Sequence, residues 1–306
     1  MKNKDTFSGF HPLVNFLYFA LVLLCSMFFL HPVCLTVSLV CSFTYSIYLN
    51  GSRAVRFNFL GLLPLMAVTA LLNPAFNHAG ETILTYLPSG NPLTLESIAY
   101  GAAAAAMLVS VICWFSCYNA VMTSDKFVYL FGRIIPAMSL VLSMTLRFIP
   151  KFRAQIHIVS NAQRCVGRDV SNGSILQRVK HGLTILSIMV TWALENSIET
   201  ADSMRSRGYG LPGRTAFSIY RFDHRDRTAL LFLLACGGYI LMGKVLGGIY
   251  WRYFPSIRGM GMQPLSLSVY AAYLALCLLP VIVDVTADRR WAAIRTEETA
   301  GEGSCE

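Results

Sequence analysis

The sequence predicts an all-α integral membrane protein with about six transmembrane helices and two further long helices on the cytoplasmic side. Three observations predict it. The 306 residues are 55% hydrophobic and only 13% charged, and the mean hydropathy of +0.54 points to a bilayer as the solvent. Charged residues are missing from Thr6 to Ser52, Phe57 to Gly80, Ser97 to Ser124, Ile134 to Leu146, Thr228 to Gly243 and Gly259 to Val283. Of the 25 Lys and Arg residues, 12 crowd between Lys151 and Arg227, where no convincing spanning helix can be drawn.

A spanning helix needs roughly 20 mostly apolar residues. The first gap holds two such helices, 13–31 and 32–50, meeting near His31-Pro32. The run lacks a small-residue cleavage site and leads straight into further apolar helices, so it is expected to stay in the mature protein rather than act as a signal peptide. Segments 57–74, 97–123, 228–246 and 264–286 supply the other four spans. Ile134 to Pro150 falls about one turn short of the bilayer thickness. The chain thus divides into N-terminal transmembrane helices over 1–133, a membrane-proximal and cytoplasmic segment over 134–227, C-terminal transmembrane helices over 228–290 and a polar tail over 291–306.

The basic cluster sets the orientation, since Lys and Arg concentrate in cytoplasmic loops. With the N-terminus inside, Arg53, Arg56 and Asp288-Arg289-Arg290 also fall in the cytoplasm. "NPAFNHAGETILTYLPSGNPLT" and "GGIYWRYFPSIRGMGMQ" then fall outside, the second with Trp251, Tyr253 and Phe254 suited to an interfacial belt.

Several functions are disfavoured. Seven of the nine cysteines (Cys25, Cys34, Cys41, Cys113, Cys117, Cys236 and Cys277) lie in apolar segments, Cys165 in the charged region and Cys305 in the tail, with no C-x-x-C. They read as small apolar packers. His11, His31, His78, His157, His181 and His224 are scattered, without the spacing of a metal cage. The net charge of +9 is interleaved with Asp169, Glu195, Glu199, Asp202, Asp223 and Asp226, which leaves no single basic face for nucleic acid. No catalytic, metal or cofactor site is predicted.

The charged region predicts two helices. One runs from about Pro150, with Phe152, Ile156, Val159 and Val166 against Arg153, Arg164 and Arg168, and is broken at Asn172-Gly173. The second runs from about Ile175 to Arg207 and stops at Gly208, Gly210 and Leu211-Pro212-Gly213. Both end in a glycine flanked by arginine, Gly167 and Gly208, 41 residues apart by subtraction. A single such end is ordinary punctuation, because arginine in a last turn is favoured by only about 0.3–1 kcal/mol and glycine is the usual cap. Two on one side of a membrane point to a paired docking surface. A guanidinium fork can bind a partner carboxylate bidentately, and glycine admits a close backbone. Along the second helix Asp202 is placed to pair with Arg205 at i+3, leaving Arg207 for a partner.

"NPAFNHAGETIL" (Asn73 to Leu84), "LSMTLRFIPKF" (Leu142 to Phe152), "AQRCVGRD" (Ala162 to Asp169) and "SMRSRGYG" (Ser203 to Gly210) follow one another in the chain. In that order they resemble the signatures of the transmembrane T component, the CbiQ-like family, of energy-coupling factor transporters, over about residues 10–290. The resemblance implies a non-catalytic scaffold in a bacterial or archaeal cytoplasmic membrane. Its partners are two ABC-type ATPases, identical or different, and a small membrane capture (S) subunit for a vitamin or a transition metal ion. It further implies that the two long helices couple to the ATPases through Ala-Arg-Gly-like ends. Ser206-Arg207-Gly208, with Arg205, matches that motif. At the first end the small residue and the arginine fall on Cys165 and Val166 when Gly167 is aligned, leaving Arg164 or Arg168 to supply the missing guanidinium.

The nearest alternative is an ordinary ABC importer permease, but "ETADSMRSRG" has Thr and Arg where that family's Glu-Ala-Ala-x-x-x-Gly needs Ala and Gly. A membrane-embedded enzyme would need His and acid clusters at membrane depth. A secondary transporter would need a charged or broken-helix site near the midplane, an alternative that Pro64, Pro136 and Pro280 leave open without supporting it.

Overall fold

The computed structural model describes residues 5–86, 92–132, 135–171, 173–209, 211, 220–259 and 263–302. Ile134, Asn172, Gly210, Pro212, Gly213 and Cys305, named above, lie outside them. The described chain is helical apart from two short hairpins. It forms two compact units, Met1–Thr123 with Tyr220–Glu306, and Ser124–Ile219.

All six apolar segments read from the sequence are helices. In the first unit α1 is Pro12–Phe28, α2 Pro32–Asn50, α3 Ser52–Phe57 and α4 Leu63–Phe76, with a π-helical turn, Asn58–Leu62, joining the last two. After a hairpin of β1 (Ile83–Tyr86) and β2 (Pro92–Thr94) comes α5, Leu95–Val121. Five stretches are long and apolar enough to cross a membrane: Pro32–Asn50, Ser52–Phe76, Leu95–Val121, His224–Val245 and Pro264–Ile294. The 17 residues of α1 reach about 26 Å at 1.5 Å each, slightly less than a typical hydrocarbon core.

The second unit contains α6 (Ser124–Gly132), α7 (Pro136–Cys165) and α8 (Ile175–Ser206). Here the structure corrects the sequence reading. The helix expected from about Pro150 begins earlier, at Pro136, so the apolar residues before Pro150 form the first half of α7, which runs on through Pro150. Proline removes one backbone donor inside the helix, and Phe148 and Phe152, one turn apart, meet edge to face with ring centroids 6.3 Å apart. Beyond it lie α9 (His224–Val245), a hairpin of β3 (Trp251–Arg252) and β4 (Arg258–Gly259), and α10, Pro264–Glu302. α10 thus carries helix well past residue 286, into the segment read as a polar tail.

Two helices start with the same device. His11 precedes Pro12 and His31 precedes Pro32. Proline suits a first helical position because its missing N–H has no partner there anyway. The imidazole Nδ1 then accepts the next free N–H, from Leu13 at 3.2 Å and from Val33 at 3.3 Å. A ring that accepts at Nδ1 must be neutral, with its proton on Nε2. In His31 that nitrogen meets the Tyr270 hydroxyl at 2.9 Å. Burial lowers the His31 pKa below its ordinary value, so this cap is complete above about pH 6.5 and is lost as the pH falls through the lower folded value. The melting temperature of the purified chain is therefore expected to drop between pH 7 and pH 5. His31→Asn keeps a neutral capping side chain and should flatten that drop; an unchanged slope would dissociate it from this cap.

The core of the first unit is aromatic. Trp114 of α5 is fully buried among Tyr18, Phe19 and Tyr45, with centroids 6.2, 6.5 and 6.4 Å away. Its indole N–H donates to Ser38 Oγ at 3.0 Å, Ser38 meets Ser26 at 2.8 Å, and Ser26 meets the Tyr273 hydroxyl at 3.3 Å. This chain of hydrogen bonds ties α5, α2, α1 and α10 together. Six of the eight described cysteines are buried as free thiols, as their apolar setting led us to expect.

The "NPAFNHAGETIL" signature closes the α4–α5 connection. Ser97 Oγ donates to Asn77 O at 2.5 Å and Thr94 Oγ1 to Ala79 O at 2.8 Å, while the Thr82 N–H and hydroxyl both reach the buried Glu96 carboxylate. Gly101 lets the two helices touch, since a Cβ there would lie 2.6 Å from Ala70 O.

Candidate partner-docking site

The predicted site residues all lie in the second unit, at the C-terminal ends of α7 and α8. The helices are joined by a turn through Gly173, whose φ is +100°. α8 opens on a capping box in which Ser174 receives the Gln177 N–H and the Gln177 side chain accepts from Ser174 N at 3.2 Å. The helices pack through Phe152 and Trp192, edge to face at 5.3 Å. Lys151 Nζ donates to Asn196 Oδ1 at 2.6 Å and sits 5.6 Å from the Trp192 ring. Among the described residues, Val159 and Met189 are the buried residues of the pair.

The two ends have the same backbone. At the first, Gly167 (φ +78°) donates to Arg164 O at 3.0 Å and Arg168 N to Gln163 O at 2.9 Å. At the second, Gly208 (φ +74°) donates to Arg205 O at 3.0 Å and Tyr209 N to Met204 O at 3.0 Å. Both are Schellman motifs, in which a left-handed residue turns the chain so that two N–H groups satisfy the last carbonyls. Glycine is the residue that takes this conformation without a Cβ penalty. Matching bond for bond pairs Gly167 with Gly208, Val166 with Arg207, Cys165 with Ser206 and Arg164 with Arg205. Arg168 pairs with Tyr209.

The side chains differ. Arg207 is exposed, and among the described residues its guanidinium meets no carboxylate. The expected Asp202–Arg205 pair is not formed among the described residues either, which leaves both tip arginines open to a partner. At the first end Val166 is 70% exposed. Arg164 is held instead by Asp169, Nε to Oδ2 at 3.0 Å. Asp169 is fixed by the Ser171 hydroxyl at 2.5 Å and backbone N–H at 3.0 Å. Those bonds, the hydroxyl first, and then the Arg164 guanidinium hold its pKa down to about 2. Asp169 is therefore an anion throughout the neutral range.

Sequence reasoning passed over Arg178. Its Nε donates to Val170 O at 2.8 Å, clamping the first turn of α8 to the chain leaving α7. The one local signal was the Asp169-x-Ser171 pattern, which favours a side-chain turn. The same contact places the first tip beside the start of α8. The second tip closes the other end of α8, whose 32 residues extend about 48 Å. The two tips therefore stand at opposite ends of one helix. Among the described residues no set of three His, Cys, Asp or Glu side chains could hold a metal ion.

The chain matches the family model described as "CbiQ: Cobalt transport protein" over residues 8–217, or 210 of its 306 residues. It is similar to the energy-coupling factor transporter transmembrane protein EcfT of Lactobacillus helveticus, 31% identical over 109 residues, covering 35% of this chain and 39% of the relative. The EcfT of Lacticaseibacillus paracasei is 33% identical over 109 residues, 35% of this chain and 41% of the relative. The EcfT of Streptococcus thermophilus is 32% identical over 106 residues, 34% of this chain and 40% of the relative. The similarity spans about two fifths of each of these relatives. With more than two thirds of its length matched by the family model and its membrane helices in place, the chain belongs to the CbiQ family of transport proteins, the family of energy-coupling factor T components.

Proposed function

We propose that this chain is the coupling subunit of an ATP-driven importer. It seats two cytoplasmic ABC-type ATPases, identical or different, on the ends of α7 and α8, and passes their motion to a membrane capture subunit that holds a vitamin or a metal ion. The observation that carries this reading is the pair of Schellman ends with the same hydrogen-bond pattern, one capping α7 beside the start of α8 and one capping α8, the second presenting Arg207 to solvent. Two docking points some tens of ångströms apart suit two ATPase bodies better than one. The chain contributes no catalytic residue: ATP is hydrolysed on its partners, and the cargo is chosen by the capture subunit, whatever cation the family's name mentions. The second unit and both termini face the cytoplasm of a bacterial or archaeal cell, in keeping with the 12 basic residues between Lys151 and Arg227.

Two measurements test this. Co-expressed with an ATPase pair and a capture subunit, the chain is expected to purify as a complex holding two ATPases, and proteoliposomes should take up solute only when all components and ATP are present. Uptake without a capture subunit would make the chain an ordinary permease. For orientation, a single cysteine at Ser174 in a background without the native ones should resist an impermeant thiol reagent on intact cells. Labelling from outside would reverse the topology.

A further inference from the structure

At the first tip the residue aligned with Arg207 is valine, yet an open cleft of about 360 Å³ lies beside it. Its walls include Ser160, Asn161 and Arg164 of α7, Asp169 and Ser171 of the turn, and Arg178 of α8. Both guanidinium groups in this cleft are anchored through Nε alone, Arg164 on Asp169 and Arg178 on Val170 O. Among the described residues their Nη groups carry no partner. The two planar groups are thus pre-positioned, with most of their donors unused. Two cations and one permanent anion leave the cleft one positive charge in excess, which one added carboxylate would neutralise.

We infer that this cleft is the carboxylate-binding site of the first docking tip, and that Arg178 of α8, together with Arg164, supplies the guanidinium that Val166 cannot. The occupant is an acidic side chain on the ATPase seated there. Arg168 does not take this role. It falls at the position of Tyr209, past the glycine, and is not among the residues lining the cleft. The two tips therefore recognise the same chemistry by different routes, the second with the arginine before its glycine, the first with an arginine from the neighbouring helix. This assignment rests on the docking role proposed above.

The test uses the full-length chain in nanodiscs with its ATPase pair and measures ATPase affinity for the parent, Arg178→Gln, Arg168→Gln and Arg207→Ala. Glutamine at 178 retains an N–H for Val170 O and removes the charge. Arg178→Gln is expected to weaken binding about tenfold or more, as loss of a desolvated charge partner does, with the melting temperature of the chain unchanged. Its affinity should also depend less steeply on NaCl than the parent's. Arg168→Gln should stay within about twofold of the parent, as exposed unpaired charges do. Parent-like binding by Arg178→Gln alongside a loss in Arg207→Ala would overturn the cleft and leave the docking role standing. A loss accompanied by a lowered melting temperature and an unchanged salt dependence would make Arg178 a structural clamp only. Parent-like binding by every variant would overturn both the cleft and the docking role.

Discussion

Trp114→Ala is expected to destabilise the helical bundle by roughly 3–5 kcal/mol, the usual range for removing a buried tryptophan. Lipid tails are as apolar as the helices, so the association of membrane helices depends on packing and on hydrogen bonds between helices. Trp114 supplies both. Its ring is fully buried against Tyr18, Phe19 and Tyr45. Its N–H starts the chain through Ser38 and Ser26 to Tyr273. Alanine would leave a cavity where α1, α2 and α5 meet and would remove the only donor that α5 contributes to that chain. Trp114→Phe fills most of the volume and loses only the hydrogen bond, for which about 0.6 kcal/mol is a typical loss in a membrane bundle. Unfolding of the purified chain in mixed micelles should rank the parent, then phenylalanine, then alanine. Equal losses for the two variants would place the stability in the hydrogen bond rather than the packing.

Arg207→Ala is expected to cost about 2–5 kcal/mol of ATPase association, the range for truncating one member of a buried, hydrogen-bonded charge pair at an interface. A charge that merely complements a helix end is worth about 0.3–1 kcal/mol. Arg207 has the means for the larger effect. It is exposed, among the described residues no carboxylate holds it, and its backbone is locked by the turn at Gly208. A docking carboxylate would thus meet a guanidinium whose root is already ordered. Arg205, two residues earlier and also exposed, serves as the control, since alanine there removes a charge of the same sign from the same helix end.

The membrane helices were legible because length and the absence of charge suffice to define them. The end of α8 was legible because Gly208 must stop a helix that exposes arginine in its last turn. α7 was harder. Its first half is too short to span and too apolar for a solvated loop, and Pro150 reads as a start rather than an interior residue, although the helix passes through it. The chemistry of the first tip could not be read from spacing. Arg164 and Asp169 are five residues apart, outside the i+3 and i+4 pairs that a continuous helix brings together. They meet because Gly167 bends the chain back. Arg178 reaches Val170 only because the turn at Gly173 folds α8 beside the end of α7. Both contacts belong to tertiary structure created by two glycines.

The most direct measurement of the coupling role is the equilibrium affinity of the ATPase pair for the chain in nanodiscs, compared between parent, Arg207→Ala and Arg205→Ala at equal incorporation. If Arg207 docks an ATPase carboxylate, its loss weakens binding by about 30-fold or more, the equivalent of 2 kcal/mol, while Arg205→Ala stays within a few-fold of the parent. Equal, small effects of the two substitutions would reduce Arg207 to a helix-end charge and remove the docking role from the end of α8.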